Sequence, residues 1–162
     1  MINRKVQDAL NQQINEEMYS SYLYLAMAAH CEREGFKGTA HWLKAQAQEE
    51  NGHAMRLYGY ILEQGGQVDL AAIRKPEGPF GTPLDVFEKT LKHEQHITAC
   101  IHKLAELALQ EKDFATQNLL QWFVNEQVEE EANAGEIVSK LKLSGGQGPG
   151  LLFIDGQLGA RK

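Results

Sequence analysis

The sequence predicts an all-α fold, an up-down-down-up four-helix bundle with one long crossover and a short fifth C-terminal helix. Three observations carry that expectation. Apolar residues recur at three- and four-residue steps through four stretches of roughly 27–30 residues, the period of helices that each bury one face. The second and third stretches are joined by a segment containing Pro76, Gly78, Pro79 and Gly81, far longer than antiparallel neighbours need and long enough to cross the whole bundle. Finally, every apolar stripe is interrupted near its middle by an acid or amide, at Glu17, Glu50, Glu94 and the pair Gln127/Glu130.

The first helix is expected from about Lys5 to about Arg33, with Val6, Leu10, Ile14, Ser21, Tyr24 and Ala28 on its stripe and Glu34-Gly35 ending it. The second begins near Thr39, read as its N-cap, and stops before Gly65-Gly66, with Leu43, Ala47, Ala54, Leu57 and Ile61 facing inward. The third runs from about Leu84 to about Gln110 on Phe87, Leu91, Thr98, Ile101, Ala105 and Ala108. The fourth runs from about Phe114 to about Leu143, with Leu120, Phe123, Ala134, Ile137 and Leu141 flanking Gln127 and Glu130. A glycine-rich linker over 144–150 follows, and the apolar residues Leu151, Leu152, Phe153, Ile154 and Leu158 predict a small helix at about 151–159 that serves in assembly.

Composition narrows the class. A chain of 162 residues suits one domain, here 1–162, with a continuous core. Sixteen Lys and Arg against 22 Asp and Glu, a formal charge of −6, argue against a nucleic-acid face and favour a protein that tolerates cations. Cys31 and Cys100 have no metal-type or disulfide-framework spacing, so they read as small core residues in a reducing cytoplasm. No apolar run reaches membrane-spanning length, and the N-terminus has no signal core.

The interrupting acids carry the chemistry. An ionised carboxylate in an apolar interior is unfavourable unless it is paired or binds a metal. Helices of this length span about 40–45 Å at 1.5 Å per residue, and acids halfway along each meet at one depth, enough for about two divalent cations. Glu50 and His53, three apart, project from one face and can share an ion. Oxygen-rich ligands with one imidazole suit iron or manganese, and bridging carboxylates suit redox iron. Glu50 is the expected bridge, with Glu17 and His53 on one ion and Glu94, with Glu130 as a further candidate, on the other. Glu49, Glu126, Glu129 and Glu131 surround this set. Spacing alone leaves open whether Glu49, Glu126 and Glu129 form another cation site or a solvated acidic face, and it favours the solvated reading for Glu131. Tyr24, two turns beyond Glu17, can hydrogen-bond a ligand or simply pack, as can Trp122. His30, His41, His93, His96 and His102 read as surface or core histidines.

With those residues in hand, the chain resembles a bacterial non-haem ferritin over nearly its whole length. The resemblance rests on Glu17 with Tyr24, the run Ala47-Gln48-Glu49-Glu50 with His53, Lys92-His93-Glu94-Gln95, Leu120-Gln121-Trp122-Phe123-Val124 with Glu126-Gln127 and Glu129-Glu130-Glu131, and Gly150-Leu151 with Phe153-Ile154-Asp155. It implies a ferritin-like fold. It further implies a ferroxidase centre of Glu17, Glu50, His53, Glu94, Gln127 and Glu130, with Glu49, Glu126, Glu129 and Glu130 as a third iron site. It also implies a homo-oligomeric shell of 24 subunits with octahedral symmetry, its four-fold axes lined by the terminal segment. The expected substrates are Fe²⁺ and O₂ or H₂O₂. Haem-binding relatives place a methionine near the middle of the second helix, where this chain has Gly52, so no haem is expected. Ile97 follows Glu94 by three, and position 127 is Gln, so one imidazole serves the centre. Two competing readings remain at this point: a di-iron peroxidase that stores nothing, and a shell that buffers divalent ions without redox chemistry.

Overall fold

The structure, a computed structural model, describes residues 1–162. It contains α1 (Arg4–Arg33), α2 (Lys37–Glu63), α3 (Pro83–Gln110), α4 (Phe114–Leu143) and α5 (Gly148–Leu158), with no strand. The C-terminal half of α1 packs beside the N-terminal halves of α2 and α3 and the C-terminal half of α4. The first and fourth helices therefore run up while the second and third run down.

Helix ends follow local chemistry. Gly35, at φ +91°, lets the chain leave α1 in the left-handed region that L residues rarely adopt. Thr82 and Asp85 form a reciprocal capping box before α3, with Pro83 in the first turn. Asp113 caps α4 by accepting from Thr116 N at 3.0 Å. At α2 the structure departs from expectation, because the helix starts at Lys37 and Thr39 lies buried inside its first turn. Its free N–H groups are satisfied from a distance. The Asp155 carboxylate of α5 accepts from Gly38 N at 3.1 Å, Thr39 N at 2.7 Å and Thr39 Oγ1 at 2.8 Å. The α5 backbone comes so close that a Cβ on Gly38 would lie 1.7 Å from the Asp155 carbonyl oxygen. The fifth helix also begins three residues earlier than expected, taking Gly148 to Gly150 out of the linker.

The crossover is fastened along α1 by three amides spaced four apart. Gln7 Oε1 accepts from Gln67 N at 2.9 Å; Asn11 pairs with Asp69 N and the Gln67 carbonyl, both at 3.0 Å; Asn15 donates to the carbonyls of Ala71 and Ala72. Farther along, the Arg74 guanidinium stacks 3.6 Å over Tyr19 and His30 Nε2 meets the Gly81 carbonyl at 2.7 Å. The connection thus travels the length of α1 before α3 begins.

The core separates into two apolar clusters along the axis. One joins Tyr24, Met27, Trp42, Leu43, Phe87 and Leu141 to Leu151, Ile154 and Leu158 of α5. The other joins Leu10, Ile14, Leu57, Ile61, Ile97, Ile101, Leu120 and Phe123. On α3 the buried stripe is turned one position from expectation: Ile97 and Leu104 are inside while Thr98 and Ala105 are half-buried. Burying the larger apolar side chains removes more carbon surface from water. Ser21, Leu91 and Ile137 are likewise at the stripe edges, half-buried.

Candidate metal centre

Between the two clusters, all four long helices contribute polar side chains to one layer. Glu17 of α1, Glu50 and His53 of α2, Glu94 of α3, and Gln127 and Glu130 of α4 are each between 1 % and 5 % exposed. Potential ligand atoms of Glu17, Glu50 and His53 lie within 4.8 Å of one another, and so do those of Glu50, Glu94 and Glu130. Glu50 belongs to both groups, so two cation-sized positions share one carboxylate. The helical spacing explains half of this: Glu50 Oε2 and His53 Nδ1, one turn apart, are separated by 3.1 Å.

Amides from the preceding turn orient the carboxylates. Gln13 Nε2 donates to Glu17 Oε1 at 2.8 Å, and Gln46 Nε2 donates to Glu50 Oε1 at 2.9 Å and to Glu130 Oε2 at 2.7 Å. Gln127 Nε2 donates to Glu94 Oε2 at 3.1 Å, and the Tyr24 hydroxyl donates to Glu94 Oε1. Glu17 Oε2 is buried with no hydrogen-bond partner. That orphaned oxygen fits a metal ligand, since a buried acceptor left unpaired is unfavourable by about 1–3 kcal/mol.

Charge is equally incomplete. His53 is the one basic side chain that forms an ion pair with the four central carboxylates. Burial, then the Glu50 charge, raises Glu17 well above the usual carboxylate range. The same causes raise Glu94 to about 7 and Glu130 to about 9. Burial pulls the His53 imidazole down, but the hydrogen bond and charge of Glu50 outweigh it and leave the group above its ordinary value. Without a cation the layer therefore holds protons at neutral pH, and a divalent ion would displace them.

A third group lies beside the first: Glu49, His53, Glu126 and Glu130 have potential ligand atoms within 4.8 Å. Glu129 is exposed and lies outside that group, although its charge raises the Glu126 carboxyl after burial does. Glu131 is half-buried. Glu49 is held from the other direction by the C-terminal Arg161, whose Nη2 donates to Oε2 at 2.6 Å. The same guanidinium donates to Gln46 Oε1 at 2.9 Å and stacks 4.5 Å over Trp42.

Tyr24 and Trp122 both touch the layer. Tyr24 is fully buried against Glu94, and Trp122 meets the His53 ring edge-on at 5.4 Å with Arg56 4.0 Å above its own ring. His93 hydrogen-bonds Ser20 Oγ at 2.7 Å, and burial lowers its imidazole to about 4. Cys31 is a core residue as expected, whereas Cys100 is only half-buried. Sequence reading overlooked Gln13, Gln46 and Arg161. The first two carry a usable signal, an amide four residues before an interior acid. The third carries none, because only the packing of α5 brings position 161 to the centre.

A family model for the ferritin-like domain matches residues 7–144. The bacterial non-haem ferritin of Bacteroides fragilis is 50 % identical over 161 residues, covering 99 % of this chain and 100 % of its own. The chain belongs to the bacterial non-haem ferritin family. The Campylobacter jejuni member is 46 % identical, with 96 % of this chain and 93 % of that one covered. Among solved structures, an open-pore ferritin of the hyperthermophilic archaeon Archaeoglobus fulgidus superposes at a TM-score of 0.98, with 49 % identity and all of both chains covered. The fold of the family is therefore the fold of this chain, including the short helix α5. No helix is long and apolar enough to cross a membrane.

Proposed function

We propose that this chain oxidises Fe²⁺ at the four-helix layer and stores the Fe³⁺ product as ferric oxyhydroxide within a shell of like subunits. The single observation that carries this reading is the buried carboxylate Glu50 shared by two ligand groups in a layer short of positive charge. Two cations restore that charge and share Glu50 as a bridge. Glu17 and His53 complete one position; Glu94 and Glu130 complete the other. Iron is the substrate and, after oxidation, the cargo.

Two Fe²⁺ ions held side by side supply two electrons, which reduce O₂ to H₂O₂ or H₂O₂ to water. Carboxylates favour the higher charge of the product. Gln46 fixes the orientation of Glu50 and Glu130, and Tyr24 with Gln127 fixes that of Glu94. Gln127 is neutral, so its flank holds Fe³⁺ less tightly than a fourth acid would and lets it leave for the mineral. Glu49, Glu126 and Glu130, with His53 in reach and the Glu129 charge alongside, form a third iron site on that path.

Assembly draws on apolar residues the folded subunit leaves outside. Leu152 and Phe153 on α5 are 66 % and 67 % exposed, and Tyr22, Leu25, Leu70 and Ile73 are also exposed. Such surface is characteristic of interfaces and supports a homo-oligomer; the family resemblance extends the proposal to 24 subunits with α5 at the four-fold axes, in the cytoplasm.

Anaerobic loading with excess Fe²⁺, followed by air, tests this directly when oxygen uptake, ferric absorbance and particle size are followed together. A shell-sized particle that takes up far more than three irons per subunit is expected. Oxidation that stops at two or three per subunit would replace storage with a di-iron peroxidase, and an absence of oxygen uptake would leave only ion buffering.

A further inference from the structure

On the solvent side of the α1–α3 seam, Glu16, His96 and Cys100 form a cluster separate from the central layer, with potential ligand atoms within 4.8 Å of one another. Glu16 follows the helix away from its buried neighbour Glu17 and is half-buried; His96 and Cys100 are one turn apart on α3. His96 Nε2 lies 3.1 Å from Glu16 Oε2 and 3.6 Å from Cys100 Sγ.

Two readings of a thiol, imidazole and carboxylate can be separated by which nitrogen each partner meets. A nucleophile activated by a base has the thiol on one ring nitrogen and the orienting carboxylate on the other. Here both partners converge on the same Nε2. Burial also raises the Cys100 thiol above its ordinary value, opposite to an activated nucleophile. Three ligand-type atoms, each within 4.8 Å of the other two, are instead the arrangement of a metal site. With Zn–S near 2.3 Å and Zn–N or Zn–O near 2.0–2.1 Å, a tetrahedral ion has an N-to-S edge of about 3.6 Å and an N-to-O edge of about 3.3 Å. The contacts of 3.6 and 3.1 Å already match those edges.

We infer that Glu16, His96 and Cys100 form a site for a thiophilic divalent cation, Zn²⁺ by its chemistry, with water at the fourth position. The donors decide the metal: thiolate, imidazole and one carboxylate suit Zn²⁺, while the oxygen-rich interior suits iron. The Arg74 guanidinium, 3.8 Å from Glu16 Oε1, leaves Oε2 free for the ion and orients the carboxylate. The ion replaces the thiol proton, which leaves to solvent, and bonds to Nε2 of the imidazole, whose one remaining proton is then on Nδ1. The chain then holds two classes of cation in separate places, one outside on sulfur and one inside on oxygen.

Titration of the iron-free full chain with Co²⁺ tests the site through the near-ultraviolet charge-transfer band that only thiolate ligation produces. Ions bound at the carboxylate layer give no such band. The band is expected to saturate at the intensity of one thiolate-bound ion per subunit, to vanish in Cys100→Ser, to persist in Cys31→Ser and to be displaced by Zn²⁺. His96→Ala should weaken Zn²⁺ binding at this site, read as displacement of the thiolate band, by about tenfold or more, the scale of losing even a supporting group at a metal site. Undiminished Fe²⁺ oxidation in Cys100→Ser checks that the variant is folded. No band, a band that survives Cys100→Ser, or Zn²⁺ affinity unchanged in His96→Ala would each overturn the site.

Discussion

Along the bundle axis, the clusters around Phe87 and around Phe123 are closed by carbon against carbon, while the layer between them places Glu17, Glu50, Glu94 and Glu130 against one histidine. The apolar layers gain free energy on folding because they remove carbon from water. The acidic layer resists folding, because burial disfavours the charged forms of Glu17, Glu94 and Glu130 and leaves Glu17 Oε2 without a partner. Stability and chemistry are therefore held in different layers, and the clusters on either side supply the apolar burial that the acidic layer lacks. Under the proposed function, cation binding would turn the middle layer from a burden into a support.

The widest separation of the two layers comes from Glu50→Ala combined with His53→Ala. Stopped-flow Fe²⁺ oxidation should lose its rapid phase entirely, while far-ultraviolet circular dichroism stays fully helical, because helix packing rests on the apolar stripes. Loss of helix in that variant would show that the acidic layer also holds the fold. The converse change, Phe123→Ala, should lower unfolding free energy by about 3–5 kcal/mol in denaturant titrations. Fe²⁺ oxidation per folded subunit should change far less.

A pH series sharpens the same contrast. Glu94 and Glu130 are raised to about 7 and about 9 in the folded chain from an ordinary value of 4.5. The native state then binds more protons than the unfolded one between these values, so their contribution is fully present below about pH 4.5 and is lost as pH rises toward 9. The iron-free protein should therefore melt at progressively lower temperature from pH 5 to pH 9, and a bound divalent cation should raise the melting temperature more at the upper end. An iron-free melting temperature that climbs across this range would contradict the charge deficit assigned to the layer.

Asp155→Ala addresses the seam between α5 and the first turn of α2, with an expected loss of about 0.5–2 kcal/mol, the range of a helix N-cap. The subtlest change is Gln127→Glu. It should leave the first oxidation phase near its original rate and slow repeated turnover, because a further carboxylate holds Fe³⁺ longer. Unchanged turnover in sequential iron additions would remove Gln127 from product release.

How much of this was legible beforehand differs from residue to residue. Glu17, Glu50, Glu94 and Glu130 stand out in the sequence because an acid in the middle of an apolar stripe contradicts the pattern around it. The structure brings them together because each is near the middle of a helix of similar length. Gln13 and Gln46 were less visible, since an amide is unremarkable by composition and becomes informative only when the acid four residues later is known to be buried. Thr39 misled because a threonine before an apolar run is an ordinary cap, and nothing local shows that Asp155, 116 residues away, caps the helix instead. The Glu16, His96 and Cys100 cluster was also hidden, because one of its members comes from a different helix.

The sequence by itself determined the helices, their order and the depth of the acids, since these depend on periodicity, chain length and local turn chemistry. Tertiary structure alone decided which carboxylate is shared, which stripe position of α3 faces inward, and where the C-terminus goes. Those outcomes depend on distances between residues far apart in the chain, such as Arg161 on Glu49, and no local propensity encodes them.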